Sequence, residues 1–199
     1  MSGIRIIEKP DNISFESIRE VLQRAHESNK KKGINLHTTE FSAEEIEKHI
    51  GDKGKCFVAL DGEKVVGTAS YRIISRKSWY VDGEVADEVL IGILPEYKGK
   101  HIFSALHETI ENEIKHLGYD IIVYNTAKAN IPIQRFGLSR GFQFVGFFVA
   151  EDNDHYSVVL AKWLKKCPFS VLRIRLGYIK MKLKTVIMYK PGKIKRFGL

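Results

Sequence analysis

The sequence predicts a mixed α/β fold: a largely antiparallel sheet flanked by helices, with a basic C-terminal extension. Three observations lead there. Short apolar runs bounded by turn residues are interleaved with segments whose apolar residues recur at helical spacing. Two such runs, 56–60 and 64–74, flank Asp61-Gly62, the pattern of a hairpin around a tight turn. The stretch 89–117 then reads as strand, basic glycine turn and helix. A chain of 199 residues with 44% hydrophobic content can form one domain with a substantial core plus an appendage, divided here as 1–164 and 165–199.

In chain order, residues 4–7 read as a first strand, stopped by Pro10. A helix follows to Glu27, with Ile18, Val21, Leu22 and Ala25 inward. The polar stretch 29–39 reads as a loop. Ser42 with Glu45 three residues on forms a capping box and opens a second helix. After the 56–74 hairpin comes a polar connection, 75–83, carrying Trp79 and Tyr80. Residues 84–94 form the strand entering the central segment. Pro95 ends that strand, because proline cannot donate to a ladder. Ile102, Leu106, Ile110, Ile114 and Leu117 recur at helical spacing, and Gly118 closes the helix. Residues 121–124 read as a short buried strand, 130–140 as a helix, and 143–150 with 155–163 as a hairpin across the acidic loop 151–154.

The central turn points the first backbone N–H groups of a helix at the end of a strand, beside Lys98 and Lys100. Unpaired amides and the helix dipole make such a place favourable for phosphate. An ordinary strand-to-helix connection with two solvated lysines is the competing reading.

The run V-L-I-G-I-L-P-E-Y-K-G-K-H-I-F, then V-Y-N-T-A-K-A-N, then R-F-G-L-S-R-G-F resembles the GNAT family of acyl-CoA N-acyltransferases, over roughly 4–163. The resemblance implies an acetyl-CoA or other acyl-CoA co-substrate, a small primary amine as acceptor (an amino sugar among the candidates), and no metal. It implies that the acyl thioester lies where the strands 84–94 and 121–124 splay apart. Backbone groups of Lys98, Gly99, Lys100, His101, Ile102 and Phe103 would bind the CoA pyrophosphate. Groups near Ile91 and Ile93 would hold the pantetheine arm and polarise the thioester carbonyl. Asn130 matches a family asparagine that contacts the cofactor arm, and capping the following helix is its alternative role.

The chain departs from the family's turn, Gln/Arg-x-x-Gly-x-Gly/Ala, at two glycines, now His101 and Phe103. The backbone donors survive such changes. His101 either crowds a phosphate or pairs with it, and Phe103 is expected to pack in the core. Asp87, four residues before Ile91, is the candidate base; alternation places it with Val85, Val89 and Ile91 on an apolar face. Its alternative is simple solvation. The family's tyrosine acid falls at Gly137, leaving Tyr124 or a water to reprotonate the thiolate. His26, His37, Trp79, Tyr80, Asp152, Asp154, His155 and Tyr156 are the acceptor-side candidates.

Charge is uneven. Residues 165–199 hold 11 Lys/Arg and no acid, leaving 21 of the 32 basic residues against all 24 acids, so the net charge of +8 belongs to the tail. Apolar and basic residues alternate in V-L-R-I-R-L and I-K-M-K-L-K, which reads as two short strands with a basic face, and Pro191-Gly192 as a turn. Four roles stand open for the tail: lying on an anionic membrane surface, docking an acidic carrier protein, binding nucleic acid, or covering the sheet edge. The first two would make the protein peripheral to a membrane or a carrier-protein-dependent acyltransferase. A catalytically silent domain that only binds through its tail is the remaining alternative. No segment reaches the about 20 apolar residues of a membrane span, and the N-terminus lacks a signal-peptide run. With Cys56 and Cys167 lacking metal spacing, the expectation is a reduced, cytoplasmic protein.

Overall fold

The structure is a computed structural model describing residues 3–31, 36–149 and 156–188. It is mixed α/β, and each strand pairing with an assigned register is antiparallel. The chain forms two compact units, Met1–Ile73 with Ala86–Gly118, and Ile74–Val85 with Tyr119–Leu199.

In the first unit, β1 (Arg5–Glu8) pairs with β2 (Lys55–Asp61), and β2 turns through Gly62 into β3 (Lys64–Ser78). Helix α1 (Phe15–Lys30) starts where Ser14 Oγ accepts from the Ser17 N–H, and it buries the four residues expected. Helix α2 (Ala43–Ile50) has the reciprocal capping box: Ser42 Oγ accepts from Glu45 N–H (3.2 Å) and the Glu45 carboxylate accepts from Ser42 N–H (2.7 Å). Ile18, Leu22, Ile46, Ile50, Val58 and Leu60 form one core with Val89 and Leu90 of β4 (Val81–Ile93). Each such aliphatic side chain contributes about 1.5–3 kcal/mol by leaving water. Helix α3 (Ile102–His116) buries Ile102, Leu106, Ile110 and Ile114. Leu117, expected in that stripe, lies just past the helix end and is exposed.

The connection expected at 75–83 is mostly strand. Strands β3 and β4 extend until only Trp79 and Tyr80 join them. Across the turn buried Arg76 donates to the Tyr80 hydroxyl, and Trp79 Nε1 donates to Val145 O (2.8 Å).

In the second unit, β7 (Tyr156–Trp163) lies between β5 (Ile121–Ala127) and β6 (Gln143–Val149), antiparallel to both. Helix α4 (Ile131–Ser139) carries Pro132 in its first turn, where a missing N–H costs nothing. Val123, Val145, Val159, Ala161, Tyr80 and Val85 make the second core.

The tail contradicts the strand expectation. Val171–Met188 is one helix, α5. Ile174, Tyr178 and Thr185 recur at helical spacing on its packed side: Ile174 joins the core, Tyr178 stacks on Phe144 (5.3 Å between centroids), and Thr185 Oγ1 donates to Phe147 O (3.1 Å). The alternation in sequence is two helical stripes superposed, and docking on β6 selects the helix. The acidic loop 151–154, His155 and the Pro191-Gly192 turn lie outside the described residues.

Candidate functional site

Within β4, Leu90 has φ +54°, a left-handed residue inside a strand and the mark of a bulge. Its consequence is visible in the packing: Val89 and Leu90, neighbours in sequence, both face the core under α1 and α2. Alternation is therefore reset. Gly92 faces α1, where an added Cβ would stand 3.1 Å from Ala25 Cβ and 3.2 Å from Leu22 Cδ2. Ile93 turns to the opposite face, its Cδ1 against Gly67 beside Ile102 of α3. Asp87 and Ile91 thus do not share a face, contrary to strict alternation.

The backbone of Ile91 is engaged from α1. His26 Nε2 lies 2.7 Å from Ile91 O, and Asn29 Nδ2 lies 3.1 Å from His26 Nδ1. These partners assign a neutral ring that donates from Nε2 and accepts at Nδ1. Burial lowers the His26 pKa from its ordinary value; the Ile91 carbonyl opposes that shift and the Lys98 charge adds to it. His26 also lines a cleft of about 320 Å³ with Gln23, Glu27, Lys30, Thr39 and Glu40.

After β4, the turn Pro95–Tyr97 is fixed by the Tyr97 hydroxyl donating to Asp61 Oδ2 (2.8 Å), with Lys100 Nζ 4.4 Å from the Tyr97 ring centroid. Lys98 Nζ reaches Ala25 O at 3.5 Å. Gly99 (φ +80°) and His101 (φ +60°) are both left-handed, and the His101 side chain makes no cap bond at the start of α3. His101 thus holds a backbone conformation that favours glycine, with its side chain exposed. Ile102 is buried, and half-buried Phe103 lies 6.3 Å from the His107 ring. The turn therefore offers α3's leading amides and two exposed lysines on one surface, an arrangement that suits a phosphate.

Asp87 is not solvated: it is 2% exposed, and its Oδ2 accepts from Arg72 Nε (3.0 Å) and Nη2 (2.9 Å). Arg72 Nη1 lies 3.4 Å from His49 Nδ1. Burial, the Arg72 charge and His37 lower the His49 pKa to about 4. On the other face of β4, Glu88 Oε2 bonds His107 Nδ1 (2.8 Å), and Glu111 bridges His107 and Lys115. Sequence reasoning named His26 only as an acceptor-side candidate, and it missed Arg72 and this buried Glu88–His107 pair. The available signals were a histidine within the apolar stripe of α3 and its i, i+4 spacing to Glu111.

Asn130 occupies the N-cap of α4 without a side-chain cap bond; its Nδ2 donates instead to Thr126 Oγ1 (3.2 Å). Tyr124, 3% exposed, donates from its hydroxyl to Ile133 O (3.1 Å). Of the acceptor-side candidates, Trp79 and Tyr80 are committed to the second core, and Tyr156 stacks on Phe147. His37 packs edge-on against Phe41. Among the described residues, no three His, Cys, Asp or Glu side chains gather as a metal site.

A family model described as Acetyltransferase (GNAT) family matches residues 15–142. The ribosomal-protein-S18-alanine N-acetyltransferase of Escherichia coli superposes with TM-score 0.64 at 14% identity, covering 85% of this chain and 99% of that one. A GNAT-family acetyltransferase of Staphylococcus aureus superposes with TM-score 0.62 at 20% identity, covering 82% and 100%. One from Elizabethkingia anophelis with acetyl-CoA bound gives TM-score 0.58 at 13% identity, covering 82% and 100%. No curated protein matches in sequence.

Proposed function

The chain belongs to the GNAT acetyltransferase family, and we propose that it moves an acyl group from acyl-CoA to the primary amine of a small molecule, amino sugars being the first acceptor class to test. The observation that carries this reading is the turn after β4, with Gly99 and His101 left-handed ahead of α3 and no cap bond from the His101 side chain. In this reading the backbone of Lys98, Gly99, Lys100, His101, Ile102 and Phe103 cradles the pyrophosphate. Ile91 and Ile93 lie along the pantetheine arm.

In the reaction, the acceptor ammonium loses a proton, the amine nitrogen bonds to the thioester carbon, and the C–S bond breaks as the thiolate takes up a proton. Asp87 is the base in this scheme. Its carboxylate is already paired with Arg72, so taking up a proton gives up that pairing. His26, hydrogen-bonded to the Ile91 carbonyl and lining the Glu27–Glu40 cleft, supports a second assignment. A cationic amine attracted by those two glutamates would meet a neutral imidazole.

Calorimetric titration with acetyl-CoA and CoA tests the reading. Micromolar binding of both, followed by turnover in an amine screen, is the expected result. Absence of binding overturns acyl-CoA as donor and redirects the search to carrier-protein thioesters.

A further inference from the structure

Seven of the ten large hydrophobic residues that stand exposed among the described residues lie on one helix, α5. They are not scattered. Leu172, Leu176, Ile179, Leu183 and Ile187 follow i, i+4, i+7, i+11 and i+15, one continuous stripe. Leu172 is 67% exposed and Ile187 77%. The stripe lies opposite the packed side of the helix, where Ile174 is 3% exposed and Gly177 meets Trp79. A docked surface helix normally turns charge outward on that side. Here the charges sit on the flanks: Arg173, Lys180 and Lys184 along one border of the stripe, Arg175 and Lys182 along the other. Residues 165–199 contain no acid.

We propose that this outer face of α5 docks on an anionic lipid bilayer. The leucines and isoleucines would enter the boundary between headgroups and acyl chains, and the two basic rows would meet the lipid phosphates. Charge decides among the occupants. A second copy of the chain would set basic rows against basic rows. Nucleic acid would be served by the lysines but not by an aliphatic stripe, and the helix's aromatic residue, Tyr178, is turned inward onto Phe144. An anionic bilayer complements both features. Among the described residues no helix is long and apolar enough to cross a membrane, so α5 would lie on the surface.

The test is co-sedimentation of the full chain with phosphatidylcholine vesicles, with and without phosphatidylserine, at low and high salt. Binding at least about tenfold stronger to the anionic vesicles, and weakened by salt, is expected. Leu176→Glu/Leu183→Glu should abolish it, and Arg175→Glu/Lys180→Glu should reduce it by about tenfold or more. All four side chains are exposed, and unchanged thermal melting confirms intact folding. Should the leucine variant fail to fold, the charge variant and salt series decide alone. The proposal is overturned by no vesicle binding, by binding that survives the leucine variant, or by a concentration-dependent dimer that buries the stripe. Tighter binding to an oligonucleotide than to anionic vesicles overturns it equally.

Discussion

The Tyr124 hydroxyl fills the space beside Gly137: a Cβ on Gly137 would lie 1.8 Å from Tyr124 Oη and 2.9 Å from its Cζ. A side chain on this helix at position 137 has no room, because Tyr124 from β5 already occupies the place. Gly137→Ala is therefore expected to destabilise the fold by about 1–3 kcal/mol through overpacking. Tyr124→Phe alone should lose about 1 kcal/mol with its bond to Ile133 O. In the double variant the hydroxyl clash is gone, so urea unfolding should show a coupling of about 1 kcal/mol in the rescuing direction. Strict additivity would separate the two residues.

His101 holds a conformation that costs a residue with a Cβ about 1–2 kcal/mol. His101→Gly removes the strain but adds chain entropy, so a net gain of about 0.5–1 kcal/mol in urea is expected. The turn's donors are backbone groups, so CoA affinity measured by calorimetry should stay within about threefold. A large loss of affinity would give the His101 ring a direct role in phosphate binding.

Asp87→Asn tests the base. If the carboxylate takes the amine's proton, kcat/KM falls by about 10²-fold or more, most at low pH where the acceptor is charged. CoA affinity should be unchanged. Because the variant also strips Arg72 of a partner, thermal melting belongs beside the kinetics. An unchanged pH profile removes Asp87 from proton transfer, and the same profile measured on His26→Gln then decides the second assignment.

His49 gives a pH-dependent stability. Its folded pKa is lowered to about 4 from 6.5, so between those values the unfolded chain binds a proton that the folded chain does not. Stability should therefore rise with pH across that window and fall on acidification below 6.5. His49→Gln should flatten this part of the curve, read as melting temperature between pH 4 and pH 7. An identical slope in the variant would assign the effect to other groups.

Gly177 is where α5 approaches the β3–β4 hairpin: an added Cβ would lie 2.7 Å from two ring carbons of Trp79. Gly177→Val should displace the helix, shift the Trp79 fluorescence and lower the melting temperature. Unaltered fluorescence would mean the helix can accommodate the branch without moving.

Much of this protein is legible residue by residue. The Ser42–Glu45 box, the turn at Gly62, the apolar stripe of α1 and most of that of α3 are local patterns, each read within a few turns of chain, and the order of α-helices and strands among the described residues of 4–163 follows the sequence reading. The motif order over that span led to the family.

What local patterns could not carry is which side chains share a face once the backbone departs from its period. A single left-handed residue, Leu90, resets the alternation of β4 and separates Asp87 from Ile91; nothing in V-A-D-E-V-L-I-G-I announces it. The partners of Asp87 and Glu88 come from β3 and α3, at separations of 15 and 19 residues, beyond any helical or strand period. The tail shows the limit most plainly. Its alternating sequence satisfies a strand locally, and the contacts that hold it as a helix are long-range ones to β6, Tyr178 on Phe144 and Thr185 on Phe147 O. Composition determined that the tail is basic; tertiary packing decided that its charges flank an exposed aliphatic stripe.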